Sequence, residues 1–185
     1  MAVKTFAAGD VLTASDTNTY LNNGGLVYIT SASFSAVASV SVNSCFTSTY
    51  ENYLLQVRVY GSASSNVALR FRIGGVDDTT ALYFDRGYYN NAGTVTALTN
   101  SSATSIFVGN YANNASYPGR HTARVLGPQD AARTVVHTQW EDSSTALGGD
   151  THSFMGTVTQ YDGFTLLPAS GTITGKYWVY GERQP

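Results

Sequence analysis

Two neighbouring segments in the first half of the chain place an apolar residue at every second position. Residues 55–59 carry Leu, Val and Val in this way, and residues 67–73 carry Val, Leu, Phe and Ile. Such alternation is typical of antiparallel strands with one buried and one solvated face, and it does not fit a helix. Residues 61–66, rich in Ser, predict a hairpin loop between the two strands. The predicted core extends these inward positions to later strands and comprises Leu55, Val57, Val59, Val67, Leu69, Phe71, Ile73, Phe154, Val158 and Val179.

The same period of two continues along the rest of the chain, and no segment after residue 25 has the pattern of an amphipathic helix. Turns rich in Gly, Asn, Asp and Ser separate roughly ten predicted strands at spacings of about 8 to 12 residues. This pattern predicts an all-β fold, an antiparallel β-sandwich of jelly-roll-like type. The predicted strands are residues 26–30, 37–46, 55–60, 67–73, 80–88, 104–111, 121–126, 134–140, 153–160, 164–167 and 172–180.

The beginning of the chain differs from this body. Thr13 followed by Asp16 resembles a capping box, and the predicted helix over residues 14–22 ends before a glycine, a favoured helix terminator. An isolated helix shorter than about 12 residues is marginal in water, so this one must dock, either on its own domain or on another protein. We therefore divide the chain into a helix-containing anchoring arm, residues 1–24, and a single sandwich domain, residues 25–185. The arm residues expected to dock are Phe6, Val11, Leu12, Tyr20 and Leu21.

Charged residues make up only 12% of the 185-residue chain, about half of the ~25% typical of globular domains. The formal net charge is −2 and the basic residues are scattered singly, so the sequence predicts no nucleic-acid partner and no attraction to an anionic membrane. No run of about 18 apolar residues occurs, and the start of the chain lacks an apolar signal segment. We therefore expect neither membrane insertion nor Sec export. Cys45 is the one cysteine, which excludes an intrachain disulfide.

The sequence contains no local signature of a catalytic, cofactor or metal site, such as a nucleophile elbow, a P-loop or a zinc-protease motif. A glycosidase needs two carboxylates roughly 5 to 10 Å apart, and adjacent strand residues such as Glu141 and Asp142 point to opposite faces. The turn at residues 77–78 is an alternative site for calcium. We predict no enzyme, no catalytic residues, no cofactor and no metal. Three histidines could bind a metal only if the fold gathers them: His121, His137 and His152.

Tyrosine is abundant, with 13 residues, and several lie in predicted loops beside asparagines. An aromatic ring and an amide can together stack on and hydrogen-bond a neutral sugar, and loops are frequent sites of recognition. The loops around residues 88–93 and 110–119 are therefore the predicted outward surface, with a host cell-surface glycan as the candidate ligand. The alternative is that the asparagines only form turns and the tyrosines only cover hydrophobic edges. The predicted recognition residues are Tyr89, Asn91, Asn114 and Tyr117.

Three stretches of the chain resemble a known protein family. Residues 6–24, FAAGDVLTASDTNTYLNNG, resemble the opening of many tailed-bacteriophage virion structural proteins. Residues 46–53, FTSTYENY, are similar to a turn that precedes a long strand in the same proteins. Residues 161–181, YDGFTLLPASGTITGKYWVYG, look like their final hairpin. The resemblance is to the tail-fibre, minor-tail or head-decoration type within this family.

This resemblance implies a non-enzymatic β-sandwich, often a homotrimer, with an N-terminal arm that fixes it to the particle. We accordingly expect a virion structural protein, assembled in the host cytoplasm. Its expected partners are further copies of itself and, through the arm, other phage structural proteins. A homotrimeric tail fibre or receptor-binding component is the preferred subclass. The alternatives are a capsid decoration or cement protein that stabilises the head, and a glycan-cleaving depolymerase.

Overall fold

The computed structural model describes residues 7–11, 13, 15, 25–142, 144 and 146–183. Within this part the regular elements are thirteen strands, without a helical element and so without a helix that could cross a bilayer. The predicted helix over residues 14–22 lies outside the described residues except for Ser15. The strands are β1 (Leu26–Val37), β2 (Val40–Val42), β3 (Asn52–Gly61), β4 (Ser65–Ile73), β5 (Val76–Asp77), β6 (Tyr83–Asn91), β7 (Thr94–Ala103), β8 (Ile106–Tyr111), β9 (Gly119–Leu126), β10 (Val135–Asp142), β11 (Leu147–Met155), β12 (Gly163–Pro168) and β13 (Ile173–Glu182).

The strands form two sheets in which neighbours run antiparallel. The larger sheet has eight strands in the order β1-β13-β3-β9-β10-β11-β6-β7. The smaller sheet has the order β2-β12-β4-β5, and β8 also pairs with β4. The predicted all-β, antiparallel character is therefore confirmed.

The two sheets pack face to face on one hydrophobic core. Phe164 of β12 and Tyr177 of β13 meet across the sheets, with ring centroids 6.1 Å apart. Val179 of β13 is fully buried, as predicted. Both alternating segments also supply the core, from opposite sides: Leu55, Val57 and Val59 from the larger sheet and Val67, Leu69 and Phe71 from the smaller.

Residues 61–66 do not form the predicted hairpin loop. β3 ends at Gly61 and β4 begins at Ser65, but the two strands belong to different sheets, so the chain crosses from one layer to the other here. The alternation is compatible with both arrangements, because it requires only that each strand bury one face. Gly61 keeps the crossing tight, since a Cβ at this position would overlap the Tyr111 ring and the Ala63 carbonyl.

Two predicted core residues, Ile73 and Val158, lie at the surface because Ile73 is at the end of its strand and Val158 is outside the strands. Ile73 is 49% exposed. The last pair between β4 and β12 is Arg72 with Gly163, so Ile73 has no β12 residue beside it. Val158 is 62% exposed and follows the end of β11 at Met155.

Phe154 was expected in the core and lies on the outer face of the larger sheet instead. The inward positions of β11 are Ser153 and Met155, which are 1% and 0% exposed. Phe154 stacks on Phe84 of the neighbouring strand, with ring centroids 4.8 Å apart. An error of one residue in the inward positions reverses every side chain of a strand. The inward face of β11 was not predicted because Ser153, which lies on it, is polar.

β7 has no counterpart among the predicted strands. All of its residues are exposed or half-buried, so neither face carries the apolar alternation that identifies a strand. β11 also starts at Leu147, earlier than predicted, because Gly148, Gly149 and Asp150 have the composition of a turn. Both segments extend the larger sheet beyond the smaller one.

Aromatic side chains fill much of the space between the sheets. The Tyr83 hydroxyl donates to the carbonyl of Asp78 at 2.8 Å and accepts the N–H of Phe71 at 3.0 Å. The Tyr161 hydroxyl donates to the Asp78 carboxylate at 2.7 Å. These bonds satisfy polar atoms that burial would otherwise leave unpaired. The largest fully buried aromatic residues are Tyr53, Tyr83, Tyr111, Tyr161, Phe46, Phe71 and Phe164.

Phe71→Ala should lower the free energy of unfolding by roughly 3 to 5 kcal/mol, because the ring is fully buried and stacks on Tyr161 at 4.8 Å. Phe154→Ala removes the same side chain from the outer face and should cost clearly less. Urea denaturation of both variants measures the difference. Equal losses would contradict the assignment of inner and outer faces.

Candidate functional site

The larger sheet brings the two predicted recognition loops to one of its ends. Asn91, the last residue of β6, pairs with Leu147 of β11, which pairs with Asp142 of β10. The preceding residue of β10, Glu141, pairs with Arg120, which directly follows the start of β9 at Gly119. β6 and β9 are three strand spacings apart, about 14 Å. We call this side of the sheet the loop end.

The four predicted recognition residues differ in how much of each side chain is available. Three are exposed: Asn91, Asn114 and Tyr117. The Asn114 side-chain oxygen accepts the N–H of Ser116 at 2.9 Å, so this asparagine forms a turn, as the alternative interpretation expects. Tyr89 is half-buried on the inner side of β6, with its ring 6.4 Å from that of Trp140. It offers a ligand only part of its surface.

The sandwich begins at the opposite end of the same sheet. β1 starts at Leu26, which pairs with Glu182 of β13. The carbonyl of Gly25 accepts the N–H of Arg183 at 3.1 Å. We call this side the arm end; the 10 residues of β3 separate it from the loop end by about 30 Å. Val11 of the predicted arm is 79% exposed. The other predicted arm residues lie outside the described part of the chain: Phe6, Leu12, Tyr20 and Leu21.

The larger sheet separates the three histidines. His121 of β9 points into the core and is 2% exposed. His137 and His152 lie on the outer face of β10 and β11, with ring centroids 4.5 Å apart. Partial desolvation and the charges of His152 and Arg124 lower the pKa of His137. Among the described residues, no group of three His, Cys, Asp or Glu side chains is placed to bind a metal.

The candidate carboxylates point in different directions or have structural partners. Glu141 is exposed and Asp142 is buried on β10, as expected for adjacent strand residues. Asp77 forms an ion pair within the β4–β5 hairpin. Asp78 accepts hydrogen bonds from the hydroxyls of Tyr161 and Thr80, both at 2.7 Å. These positions do not provide two carboxylates facing one glycosidic bond.

The outer face of the larger sheet carries ordered rows of polar and charged side chains. Because strand neighbours are in register, outward residues that pair across strands form each row. One row near the loop end, which we call the cationic row, consists of Lys176 of β13, Arg58 of β3 and Arg120 of β9, and it is followed by Glu141. The second row contains Trp178, Gln56, Thr122, Gln139, Asp150 and Tyr88.

A shallow depression of about 270 Å³ lies between these two rows. The Lys176 ammonium is 4.9 Å from the ring centroid of Trp178, at cation–π distance. The depression therefore combines positive charge, an aromatic ring and neutral hydrogen-bonding groups. Its outward-facing lining consists of Gln56, Arg58, Arg120, Thr122 and Trp178.

A second depression, of about 320 Å³, lies nearer the arm end and includes His137, His152 and Arg124. Unlike the arginines of the first depression, the arginine of this one has an acidic partner. The Arg124 guanidinium donates two hydrogen bonds to the Glu182 carboxylate, at 2.6 and 2.5 Å. This bidentate pair raises the pKa of Arg124 and neutralises its charge. The cationic row is thus the more strongly anion-attracting part of the face.

This face was not among the predicted sites. The chain has ten basic residues, and five of them share the outer face of the larger sheet although they are far apart in sequence. The signal was present in the positions that alternate with the apolar residues of each strand, since such positions point outward. Strand order decides which of them become neighbours, and the alternation does not reveal strand order. The five residues are Arg58, Arg86, Arg120, Arg124 and Lys176.

Comparisons with known proteins show no family for this chain. No family model and no curated protein matches it. One solved structure that it resembles is a functionally unknown protein from Saccharomyces cerevisiae, at 15% sequence identity and a TM-score of 0.27. That similarity covers 88% of this chain and 95% of the other. It carries no information about function.

His121 should make stability fall as the pH drops below neutrality. Burial lowers the pKa of His121 to about 3, whereas in the unfolded chain it is about 6.5. The unfolded state therefore gains the proton first, and the free energy of unfolding falls by about 1.4 kcal/mol per pH unit below the unfolded value. Between pH 7 and pH 5 the histidine accounts for a loss of about 2 kcal/mol.

His121→Met should remove this part of the pH dependence, and the exposed His152→Gln should retain it. Urea denaturation at pH 7 and pH 5 compares the three proteins. The same loss of stability in His121→Met as in the unaltered chain would contradict the neutral, buried state of the ring.

Proposed function

We propose that this chain is a non-enzymatic structural protein of a tailed-bacteriophage particle, of tail-fibre or receptor-binding type. The observation that carries the proposal is that the two ends of the larger sheet differ. The anchoring arm, residues 1–24, joins the sandwich at the arm end. The loops around Asn91 and Tyr117 lie at the loop end, about 30 Å away, and the cationic row lies near them, about 20 Å from the arm end. A component that attaches to a particle through one end and contacts a cell surface through the other needs this separation.

We also infer that the sandwich is a jelly roll widened by insertions. Eight of the strands, taken in chain order, pair first with last and then inward, as in a long antiparallel ribbon that has been rolled up. These pairs are β1 with β13, β2 with β12, β3 with β9, and β4 with β8. The remaining strands, apart from the short β5, extend the larger sheet. Jelly rolls are frequent in viral capsid and lectin domains, which supports a virion protein with a recognition surface.

Association into a homotrimer is supported by the two edges of the larger sheet. The edge strands β1 and β7 are 12 and 10 residues long, and neither contains a charged residue. Edge strands of monomers are usually protected by charge, proline or coverage, because their free N–H and C=O groups pair with other chains. The two edges differ in sequence, so β1 of one copy against β7 of the next is a heterologous contact. Contacts of this type close into a ring when the rotation between copies is a whole fraction of a turn, which is one third for the proposed trimer.

Deleting residues 1–22 should leave a folded sandwich and abolish incorporation into phage particles. Within the described part of the chain, the buried core lies between the two sheets and is made by residues from Val42 onward. Immunolabelling of particles assembled with the full chain and with the deleted form measures incorporation. Labelling of the head rather than the tail would favour a capsid decoration protein.

Light scattering should give three times the 19.7 kDa chain mass for the full chain at micromolar concentration. A monomeric full chain would refute the trimer.

Replacing the four predicted recognition residues by alanine should preserve particle assembly and reduce adsorption to host cells. Three of these side chains are exposed at the loop end, and Tyr89 is half-buried beside Trp140. Adsorption assays of particles that carry the quadruple variant measure the effect, and denaturation of the purified variant controls for folding. Unchanged adsorption would remove these loops from the proposed contact surface. The substitutions are Tyr89→Ala, Asn91→Ala, Asn114→Ala and Tyr117→Ala.

A further inference from the structure

The cationic row places three positive side chains directly beside one another. Lys176 pairs with Arg58, and Arg58 pairs with Arg120, on three neighbouring strands. Neighbouring strands are about 4.8 Å apart, and like charges in directly opposite positions destabilise a sheet. Among the described residues, neither arginine has a hydrogen-bond or ion-pair partner for its side chain. Glu141, which pairs with Arg120, offsets the repulsion at that end of the row, whereas Arg58 has a cation on both sides.

Other arginines of the same protein are neutralised or bonded. Arg72 forms an ion pair with Asp77, and Arg124 forms a bidentate pair with Glu182. Arg86 donates to the carbonyls of Asp85 and Asn100. Arg133 has no ion pair among the described residues either, but its guanidinium lies 5.5 Å from the ring centroid of Phe154. Arg58 and Arg120 differ from it because each faces another cation directly across a neighbouring strand. Guanidinium groups bind carboxylate and phosphate oxygens in a bidentate geometry, so an anionic ligand would offset the repulsion.

The groups next to the cationic row indicate what kind of anion fits. Trp178 is half-buried and presents its indole beside the depression of about 270 Å³. Gln56 and Thr122 follow Trp178 in the second row and supply an amide and a hydroxyl beside Arg58 and Arg120. An aromatic ring packs on the apolar face of a sugar, and amide and hydroxyl groups bond its hydroxyls. The volume is just below the usual range for small-molecule sites, about 300 to 1,000 Å³, and suits a ligand that stays partly in solvent.

Acidic residues limit the size of the ligand. Glu141 follows Arg120 in the cationic row, and Asp150 lies in the second row beyond Gln139. The three cations span two strand spacings, about 10 Å. A long polyanion such as a nucleic acid that crossed the strands would meet these carboxylates, whereas one or two anionic groups would not.

We propose that the cationic row and Trp178 bind a compact anionic saccharide, a sugar that carries a carboxylate or a phosphate. Arg58 and Arg120 bind the anionic group, Trp178 packs on the sugar ring, and Gln56 and Thr122 bond its hydroxyls. This deepens the proposed function by giving the ligand class of the outward surface, and it rests on that function only for the cell-surface origin of the ligand. The site is separate from the predicted recognition loops, which were expected to bind neutral sugars.

The experiment titrates the full chain with N-acetylneuraminic acid, with glucose 6-phosphate and with glucose, using ligand-observed NMR. We expect binding of one or both charged sugars, weakened by added salt, and no comparable binding of glucose. The two charged probes distinguish a carboxylate from a phosphate ligand. Arg58→Gln and Arg120→Gln should each weaken binding about tenfold, the effect of losing one charge-assisted hydrogen bond. Trp178→Leu should also weaken it.

Arg133→Gln is the matched control, because it removes the same charge at a position that is not part of the depression. It should leave binding unchanged. Thermal unfolding supplies a second measurement, which distinguishes a binding role of the two arginines from a structural one. Replacing a residue with a structural role would lower the melting temperature. Arg58→Gln and Arg120→Gln should leave the melting temperature equal or higher, since each removes a like-charge contact.

Several outcomes would refute the proposed saccharide site. They are equal binding of glucose, unchanged binding by both arginine variants, tighter binding of a short oligonucleotide than of either charged sugar, and a lowered melting temperature in both variants. A change in assembly mass on replacing both arginines would make the row a contact between copies instead. The proposed function fails separately: saccharide binding by a protein that is absent from particles would retain this site and reject the virion role.

Discussion

The register of β13, β3 and β9 is the constraint on which both the core and the candidate site depend. On the inner face this register aligns Tyr177, Val57 and His121 in one row. Because side chains alternate between faces, the residues one position away form the cationic row on the outer face. A slip of one residue on any of these strands would expose its apolar residues and break the cationic row at the same time. Hydrophobic packing therefore fixes the geometry of a charged surface that contributes nothing to the core.

The sequence predicts those parts of the fold in which burial is purely apolar. The predicted inward residues of β3 and β4 are buried, except Ile73 at the end of β4, because every second position there is aliphatic or aromatic. The same reasoning fails on the extension of the larger sheet, where the inward residues include Thr138, Thr151, Ser153 and Asp85. Burial raises the pKa of Asp85, whose carboxylate accepts the Ser153 hydroxyl at 2.7 Å. Buried polar residues look like surface residues in a sequence, so the alternation assigns the inward position to Phe154.

Strand order is the second property that local pattern does not determine. β3 and β4 are adjacent in sequence and lie in different sheets, whereas β3 and β13 are neighbours although most of the chain separates them. The polar residues of β3 could be identified as outward-facing from the alternation alone. Their neighbours in the cationic row could not, because Arg120 and Lys176 reach them only through long-range pairing. The predicted loops were easier to locate, since turn-forming residues mark a loop wherever its strands go.

The distribution of charge argues that this protein does not use its few charged residues mainly for solubility. Charges that prevent aggregation are most effective on edge strands, yet β1 and β7 have none. The larger sheet instead carries three cations side by side, where they repel one another and where the sheet needs no protection. Uncharged edges are suited to pairing with further copies of the chain, and an unneutralised cationic row is suited to an anionic ligand. Because the chain has few charged residues, the sequence alone indicates little about its ligands. Once the strand order is known, the position of each charge indicates which surface can bind an anion.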